Sequence, residues 1–281
     1  MSSTDRYCVM GNPIAHSRSP RIHSLFAELT GQHLVYEREL VALDGFEAAL
    51  RQLVASGTRG MNVTVPFKLD AARLADTRSD RVARCGASNT LVVGADGRIH
   101  ADNTDGLGLV ADITRNAGVA LRGQRVLLLG AGGAAAGALA PLLEQAPAQL
   151  VVCNRTHSKA QALVEQHLDI AALQQTELLA LDSSALQGNF DVVINATASS
   201  LQGAAIPVSA QVLRAGTLVY DMMYGPAAEP FLQWAVQHGA VGRDGLGMLV
   251  EQAAEAFLLW RGVRPPSQAV LAQVRAEIVA H

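Results

Sequence analysis

A glycine-rich turn at residues 130–133 is the first sign of chemistry in this 281-residue chain. An apolar run precedes it and the alanine-rich segment Ala134–Leu143 follows, which predicts a buried strand, a tight turn and a helix N-terminus. Glycine lets backbone N–H groups approach a phosphate closely, and the N-terminal end of the helix dipole attracts the phosphate charge. Read against the pattern G-x-G-x-x-G/A, Gly130 and Gly132 fill the first two places and Ala135 the third. The turn therefore predicts a site for a dinucleotide pyrophosphate.

The residues about twenty positions further along select between the two nicotinamide cofactors. NAD-binding chains place an acidic residue there, which hydrogen-bonds the ribose 2′-hydroxyl. Here the apolar run Leu150–Cys153 ends in Asn154-Arg155-Thr156, and Lys159 lies four residues after Arg155. A guanidinium pairs with a 2′-phosphate and a carboxylate repels it, so the pattern favours NADP(H). The alternative is that Arg155 is only a solvated residue at the start of a helix.

Polar residues also follow predicted strands in the N-terminal part of the chain. Ser17 and Ser19 follow the first strand, Lys68 opens the helix after the third, and the run Asp102–Gly106 opens another helix. Loops at the carboxyl ends of parallel strands are where ligands bind, so these residues indicate a site. Taken alone, Lys68 reads as a solvated side chain, and Asp105 reads as a favourable charge at a helix N-terminus.

The elements before residue 104 predict an α/β sheet. Strands alternate with helices, which is typical of a parallel sheet with right-handed crossovers. We expect Ser19 to cap the first helix, with Pro20 in its first turn. The predicted strands and helices are Tyr7–Met10, Pro20–Leu29, Val35–Leu40, Phe46–Leu53, Gly60–Val65, and a hairpin of Asn89–Val93 and Arg98–Ala101.

A second group of elements follows a helix that begins in the polar run Asp102–Gly106 and continues to about Asn116. Between Gln161 and Leu186, only the part up to about His167 is predicted to be helical. Glycines at 242–247 lead into a long helix, and a last surface helix follows Pro265-Pro266. The predicted strands end in polar or aromatic residues, as expected for a doubly wound nucleotide-binding sheet, and they are Val126–Gly130, Leu150–Cys153, Val192–Ile194 and Leu218–Tyr220.

Composition excludes several classes of protein. Hydrophobic residues make up 49% of the chain and charged residues 17%, with 22 Lys+Arg well mixed among 25 Asp+Glu, so we expect a full core and no nucleic-acid partner. No apolar stretch reaches the roughly 18 residues of a membrane helix, and the N-terminus lacks a secretory pattern, so we expect a cytoplasmic protein with no membrane partner. Cys8, Cys85 and Cys153 match no metal or redox spacing, and no paired histidines suggest zinc, so we expect no metal.

Eight separated motifs taken together resemble those of the shikimate dehydrogenase family, and the resemblance spans nearly the whole chain. The set of motifs carries the specificity, since the glycine turn alone occurs in many families. In the family's order they are GNPIAHSRSP at 11–20, NVTVPFK at 62–68, GASNT at 86–90, DNTDGLG at 102–108, LLGAGGAAAG at 128–137, NRT at 154–156, YDMMYGP at 220–226 and DGLGMLVEQAAEAF at 244–257.

The resemblance implies an α/β fold of two domains. The substrate domain is a mixed, mainly parallel α/β domain of residues 1–104, completed by C-terminal helices in 241–281. A Rossmann-like NADP-binding domain covers residues 105–240. The resemblance implies that the substrate lies in the cleft between the two domains. The implied reaction is the reversible reduction of 3-dehydroshikimate to shikimate by hydride transfer from NADPH, in a chain expected as a monomer or homodimer. Two alternatives stay open: a broader quinate/shikimate dehydrogenase, and a non-catalytic regulator that binds NADP or shikimate.

The resemblance also implies roles for individual residues, with Lys68 and Asp105 as the catalytic pair. Ser17 and Ser19 would take the substrate carboxylate. The residues implied to bind the substrate are Ser17, Ser19, Thr64, Lys68, Asn89, Asp105, Tyr224 and Gln252. The residues implied to bind NADP(H) are Gly130, Ala131, Gly132, Gly133, Ala134, Asn154, Arg155, Thr156, Lys159, Met222, Gly245 and Asp80.

Overall fold

The computed structural model describes residues 4–197, 206 and 208–279. The chain divides into two compact units, unit 1 with residues 1–108 and 250–281 and unit 2 with residues 109–249. The sequence placed the two junctions at 104/105 and 240/241, whereas the contacts divide the chain at 108/109 and 249/250. The junction at 108/109 lies inside α5 (Asp105–Ala111), and the junction at 249/250 lies inside α10 (Leu246–Arg261). Neither has the loop composition that would mark a domain boundary in the sequence.

Unit 1 is built around a six-stranded sheet. Its strands are β1 (Asp5–Gly11), β2 (Leu34–Leu40), β3 (Gly60–Val63), β4 (Thr77–Arg78), β5 (Thr90–Val93) and β6 (Ile99–Asp102), in the order β2-β1-β3-β5-β6-β4. β1 is parallel to β2 and β3, β5 is antiparallel to β3 and β6, and β4 is parallel to β6. The predicted mixed, mainly parallel sheet and its hairpin are therefore confirmed.

The helices of unit 1 come from both ends of the chain. They are α1 (Ser19–Thr30), α2 (Phe46–Ala55), α3 (Lys68–Leu74), α4 (Asp80–Cys85), most of α10, and α11 (Ser267–Val279). α11 packs against α1, where the Arg21 guanidinium donates to the Glu277 carboxylate at 2.6 Å. C-terminal helices thus complete the unit formed by the N-terminal residues.

The start of α1 differs from the prediction that Ser19 caps it. Ser19 is the first helical residue, the N-cap position belongs to Arg18, and no side chain of that position accepts a capping hydrogen bond. Instead the Ser17 hydroxyl accepts from the Ser19 backbone N–H at 3.3 Å. The N-cap prediction was wrong by one position because the capping group is supplied from the loop ahead of the helix.

Unit 2 contains a second six-stranded sheet, in which all strands are parallel. The strands are β7 (Arg125–Leu129), β8 (Gln149–Cys153), β9 (Glu177–Leu181), β10 (Val192–Asn195), β11 (Leu218–Asp221) and β12 (Val241–Arg243), in the order β12-β11-β10-β7-β8-β9. Counted from β7, this is the order 3-2-1-4-5-6 of a Rossmann sheet, whose switch point lies between β7 and β10. The predicted Rossmann-like fold is confirmed.

The helices of unit 2 begin where α5 passes into a π-helical turn, Asp112–Asn116. The others are α6 (Gly133–Leu143), α7 (His157–Glu165), α8 (Leu168–Leu173) and α9 (Glu229–Gln237). Ala135 and Ala138 of α6 are fully buried in the core of this unit with β7 and β8. Small side chains at these positions let the helix lie close to the sheet, which fixes the glycine turn at the carboxyl end of β7.

Candidate active site

Lys68 and Asp105 form an ion pair in unit 1. Each is the first residue of its helix, Lys68 in α3 and Asp105 in α5. The Lys68 Nζ lies 2.5 Å from Asp105 Oδ2, and the side chains are 30% and 16% exposed. Because the pair is largely shielded from solvent, its attraction is screened less than that of a surface pair. The carboxylate therefore holds the Lys68 Nζ in a fixed position.

Asn89 holds the other oxygen of this carboxylate. Its Nδ2 donates to Asp105 Oδ1 at 2.8 Å and to Gln252 Oε1 at 3.1 Å, while its Oδ1 accepts from the Thr104 backbone N–H at 2.8 Å. Asn89 and Gln252 are both buried. Four of the predicted substrate-binding residues, Lys68, Asn89, Asp105 and Gln252, thus form one hydrogen-bonded cluster within unit 1.

The two serines and Thr64 lie on neighbouring loops of the same unit. β1 and β3 are parallel, so the loops that follow them leave the same edge of the sheet. The Thr64 backbone N–H donates to the Met10 carbonyl at 2.9 Å, which ties these two strand ends together. Ser17 and Thr64 are partly exposed and Ser19 is buried. The Arg38 guanidinium donates twice to the Ser17 carbonyl, at 2.7 and 3.1 Å, and steadies this loop.

The glycine turn lines a cavity of about 490 Å³ in unit 2. It lies at the carboxyl ends of β7, β8 and β10, beside the switch point where dinucleotides bind in Rossmann sheets. Ala196 and Thr197, for which the sequence predicted no binding role, also line the cavity. Nine predicted cofactor residues meet there: Gly130, Ala131, Gly132, Gly133, Ala134, Asn154, Arg155, Thr156 and Lys159.

The shape and charge of this cavity fit a dinucleotide with a 2′-phosphate. Gly130 has φ +110°, and a Cβ there would lie 3.1 Å from the Ala196 carbonyl oxygen, so glycine is required for backbone reasons. At Gly132 and Gly133 a Cβ would meet nothing within 4 Å, which leaves the helix N-terminus open to a pyrophosphate. Arg155 and Lys159 are exposed on the cavity wall, where their charges can meet a phosphate.

The remaining four predicted site residues lie elsewhere. Met222 and Gly245 are adjacent in unit 2, because a Cβ on Gly245 would overlap the Met222 carbonyl. Tyr224, predicted for the substrate, follows β11 in unit 2 and is partly exposed. Asp80, predicted for the cofactor, is an exposed residue at the start of α4 in unit 1.

Sequence reasoning gave no individual role to three buried polar residues beside Asn89. Asn62 is a polar residue inside the buried strand β3, and Thr90 and Thr104 flank the cluster. A buried polar side chain has to be hydrogen-bonded, so an asparagine within an apolar strand was the available signal. Thr90 gave none, because threonine is common in strands. Thr104 lies in the loop before α5, within the polar run Asp102–Gly106 that the sequence marked as part of a site.

Two features are absent from the part of the chain that the structure describes, a group of metal-ligating side chains and a membrane-spanning helix. Within residues 4–197, 206 and 208–279, no three His, Cys, Asp or Glu side chains are grouped so that they could hold a metal ion. Among these same residues, no helix has both the length and the apolar character needed to cross a membrane.

Known proteins match nearly the whole chain. Three family models match it: "Shikimate dehydrogenase substrate binding domain" over 9–91, "Shikimate / quinate 5-dehydrogenase" over 112–206 and "Shikimate 5'-dehydrogenase C-terminal domain" over 245–275. A shikimate dehydrogenase (NADP(+)) from Acidovorax sp. (strain JS42) is 68% identical over 279 residues, covering 99% of each chain.

Solved structures agree with these matches. An Ael1 enzyme from Pseudomonas putida is 48% identical, with a TM-score of 0.89 and coverage of 96% of this chain and 97% of the other. The shikimate 5-dehydrogenase of Thermus thermophilus, in complex with NADP(H) and shikimate, is 30% identical, with a TM-score of 0.80 and coverage of 97% and 99%. The chain belongs to the shikimate dehydrogenase family.

Proposed function

We propose that this protein catalyses the reversible NADP-dependent interconversion of shikimate and 3-dehydroshikimate. The observation that carries the proposal is the Lys68–Asp105 ion pair at 2.5 Å, held by Asn89 among the other predicted substrate-binding residues of unit 1. A relative 68% identical over 99% of this chain has the same activity in its name.

In the reductive direction, the substrate carbonyl needs a hydride at carbon and a proton at oxygen. Bound NADPH supplies the hydride from C4 of its nicotinamide. The Lys68 ammonium, positioned by Asp105, donates a proton from Nζ to the oxygen as the C=O π electrons move onto it. In the oxidative direction the neutral amine takes the proton back from the hydroxyl. Asp105 orients Nζ throughout and needs no proton of its own.

The substrate-binding roles follow from hydrogen-bonding capacity. The hydroxyls of Ser17 and Ser19 are suited to the substrate carboxylate because a hydroxyl can donate to each carboxylate oxygen. Thr64, Asn89, Gln252 and Tyr224 offer hydroxyl and amide groups for the ring hydroxyls. These groups are neutral, so they bind a polar ring without adding charges that the substrate would have to compensate.

The cavity in unit 2 supports nine of the proposed cofactor-binding roles. Gly130–Ala134 would cradle the pyrophosphate with backbone N–H groups at the start of α6. Residues 154–156 and Lys159 would hold the adenosine 2′-phosphate, with Arg155 as its main charge partner. Met222 and Gly245 would border the nicotinamide. Asp80 is the further residue that we assign to the cofactor.

We also propose a cytoplasmic location and a state of monomer or homodimer. All three cysteines are free, which is typical of proteins from a reducing compartment. The edge strand β2 carries Glu37, Arg38 and Glu39, and such charges disfavour pairing through that edge. Light scattering of the purified protein measures the oligomeric state, and cell fractionation measures the location.

The test is turnover by the purified full chain. With shikimate and NADP, we expect NADPH to form at an initial rate that rises with enzyme concentration. The formation of NADPH is measured by its absorbance at 340 nm. Faster turnover of quinate with NAD would instead favour the broader quinate/shikimate dehydrogenase. Binding of NADP or shikimate without turnover of either acid would identify a regulator and overturn the proposal.

A further inference from the structure

A buried network of hydrogen bonds surrounds the amide of Asn89. Its Oδ1 accepts from the Thr104 backbone N–H at 2.8 Å and from the Thr90 hydroxyl at 2.9 Å. A backbone N–H can only donate, so the oxygen of the Asn89 amide has to face Thr104. Its Nδ2 then faces Asp105 Oδ1, at 2.8 Å.

The Thr90 hydroxyl also fixes this orientation, and it lies closer to Asn89 Oδ1 than the Thr104 hydroxyl does, at 2.9 against 3.2 Å. Thr90 is fully buried, so no solvent water competes with its hydroxyl for these hydrogen bonds. The hydroxyl accepts from Asn62 Nδ2 at 3.1 Å, and this leaves its proton for Asn89 Oδ1. Asn62 in turn is fixed because its Nδ2 also donates to the Asn89 carbonyl at 3.2 Å, and its Oδ1 accepts from the Tyr36 hydroxyl at 2.6 Å.

We propose that Thr90 is a positioning residue of the active site, whose hydroxyl holds the Asn89 amide so that Nδ2 is presented to Asp105. This inference rests on the proposed function, in which Asp105 orients the proton donor Lys68. Removing the hydroxyl takes one hydrogen-bond donor from Asn89 Oδ1 and leaves one N–H of Asn62 without its acceptor inside the core. The Asn89 amide is then held less firmly, and so is the carboxylate beside it that positions Lys68 Nζ.

Thr90→Val removes the hydroxyl and keeps the side-chain shape. We expect kcat for shikimate oxidation to fall about tenfold, while the KM for NADP stays within twofold, because the network lies in unit 1 and the cofactor cavity in unit 2. Thr90→Ser restores a hydroxyl and should bring kcat back to within about threefold of the wild-type value. A purely structural role would lower the melting temperature without this selective loss of kcat.

Thr176→Val is the matched control. Thr176 is also buried, and its hydroxyl donates to the Pro147 carbonyl in unit 2 at 2.8 Å, away from every residue that we assign to the site. We expect its kcat to match the wild-type value. The inference is overturned if Thr90→Val retains kcat within twofold, or if both valine variants lose the same activity per folded molecule. Should Thr90→Val not fold, Thr90→Ala is measured in its place with the same criteria.

A double mutant separates this inference from the proposed function. In an Asp105→Asn background, adding Thr90→Val should lower kcat no further, since both changes act on the same carboxylate position. Independent losses in the two variants would mean that Thr90 acts elsewhere. Absence of shikimate turnover in the wild type would overturn the proposed function itself, and wild-type activity in Lys68→Ala would remove Lys68 as the proton donor. A normal Thr90→Val beside an inactive Lys68→Ala overturns only the role of Thr90.

Discussion

The carboxylate of Asp112 and the guanidinium of Arg243 form a two-point ion pair in unit 2, at 2.5 and 2.8 Å. The Asp112 side chain has no solvent exposure, and its Oδ2 also accepts from the Tyr220 hydroxyl at 2.8 Å. Burial and the neighbouring carboxylate raise the pKa of Tyr220 well above its usual range, so the hydroxyl stays protonated and continues to donate. A Cβ on Gly247 would overlap the same carboxylate. The pair thus joins the π-helical turn, β11, β12 and the start of α10.

Asp112→Asn should destabilise the protein by about 3–5 kcal/mol, because it leaves the Arg243 charge without its partner. The free energy of unfolding is measured by urea denaturation. The matched control is Glu47→Gln, which breaks the exposed Glu47–Arg51 pair on α2 and should cost less than about 0.5 kcal/mol. Equal losses in the two variants would mean that the Asp112 pair adds nothing beyond a surface contact.

Lys68→Ala should lower kcat by about 100-fold or more with a modest change in the KM for shikimate, since a proton donor acts in the transition state. Steady-state kinetics with shikimate and NADP give both constants. Arg73→Ala is the control, because Arg73 lies on the same helix and pairs with Asp70 at the surface. A loss of kcat below tenfold, about 1.4 kcal/mol, would remove Lys68 as the proton donor.

Arg155→Ala should raise the KM for NADPH about ten- to 100-fold and leave the KM for NADH nearly unchanged. A charge-assisted contact to the 2′-phosphate is worth about 1.5–3 kcal/mol, and NADH lacks that phosphate. The two cofactors are compared in the reductive direction with the same enzyme preparation. Arg122→Ala, an exposed arginine of unit 2 outside the cavity lining, serves as the control. If Arg155→Ala weakens both cofactors equally, the guanidinium is structural.

Local sequence signals predicted the parts of this molecule that local chemistry determines. The apolar run and glycine turn at Gly130 predicted β7 and α6, and the helix predicted after the third strand is α3, which begins at Lys68. The cavity residues were found because the nucleotide motif is contiguous in sequence. Its neighbours Ala196 and Thr197 follow β10 and reach the cavity only through strand order, which sequence periodicity does not report.

Elements with weak periodicity were missed. For residues 160–190, the sequence predicted a helix only to about His167. The structure has two helices, α7 and α8, and then the edge strand β9. β9 is stabilised by pairing with β8, a tertiary contact that overrides its weak local pattern. The Asn62–Thr90–Asn89 network could not be predicted either, because it depends on β3 and β5 being neighbours in the sheet.

His23 should make the stability of the protein fall as pH falls. The side chain is fully buried, its ring stacks on Tyr36 at 4.2 Å, and among the residues that the structure describes neither ring nitrogen has a hydrogen-bond partner of good geometry. Burial lowers the pKa of His23 from 6.5 to about 3, so between these values the unfolded chain binds a proton that the folded chain does not. Stability from this residue is therefore complete above pH 6.5 and is lost towards pH 3, by up to about 1.4 kcal/mol per pH unit.

The comparison that isolates this effect is the slope of unfolding free energy against pH between about 7 and 5, in the wild type and in His23→Phe. Phenylalanine cannot be protonated, and its ring suits the surrounding cluster of Phe26, Tyr36, Phe257 and Trp260. We expect a shallower slope in His23→Phe whatever its stability at neutral pH. The slope depends on the difference in bound protons between the unfolded and folded chain, and packing does not enter it. Equal slopes for the wild type and His23→Phe would show that His23 is already able to take up a proton in the folded protein.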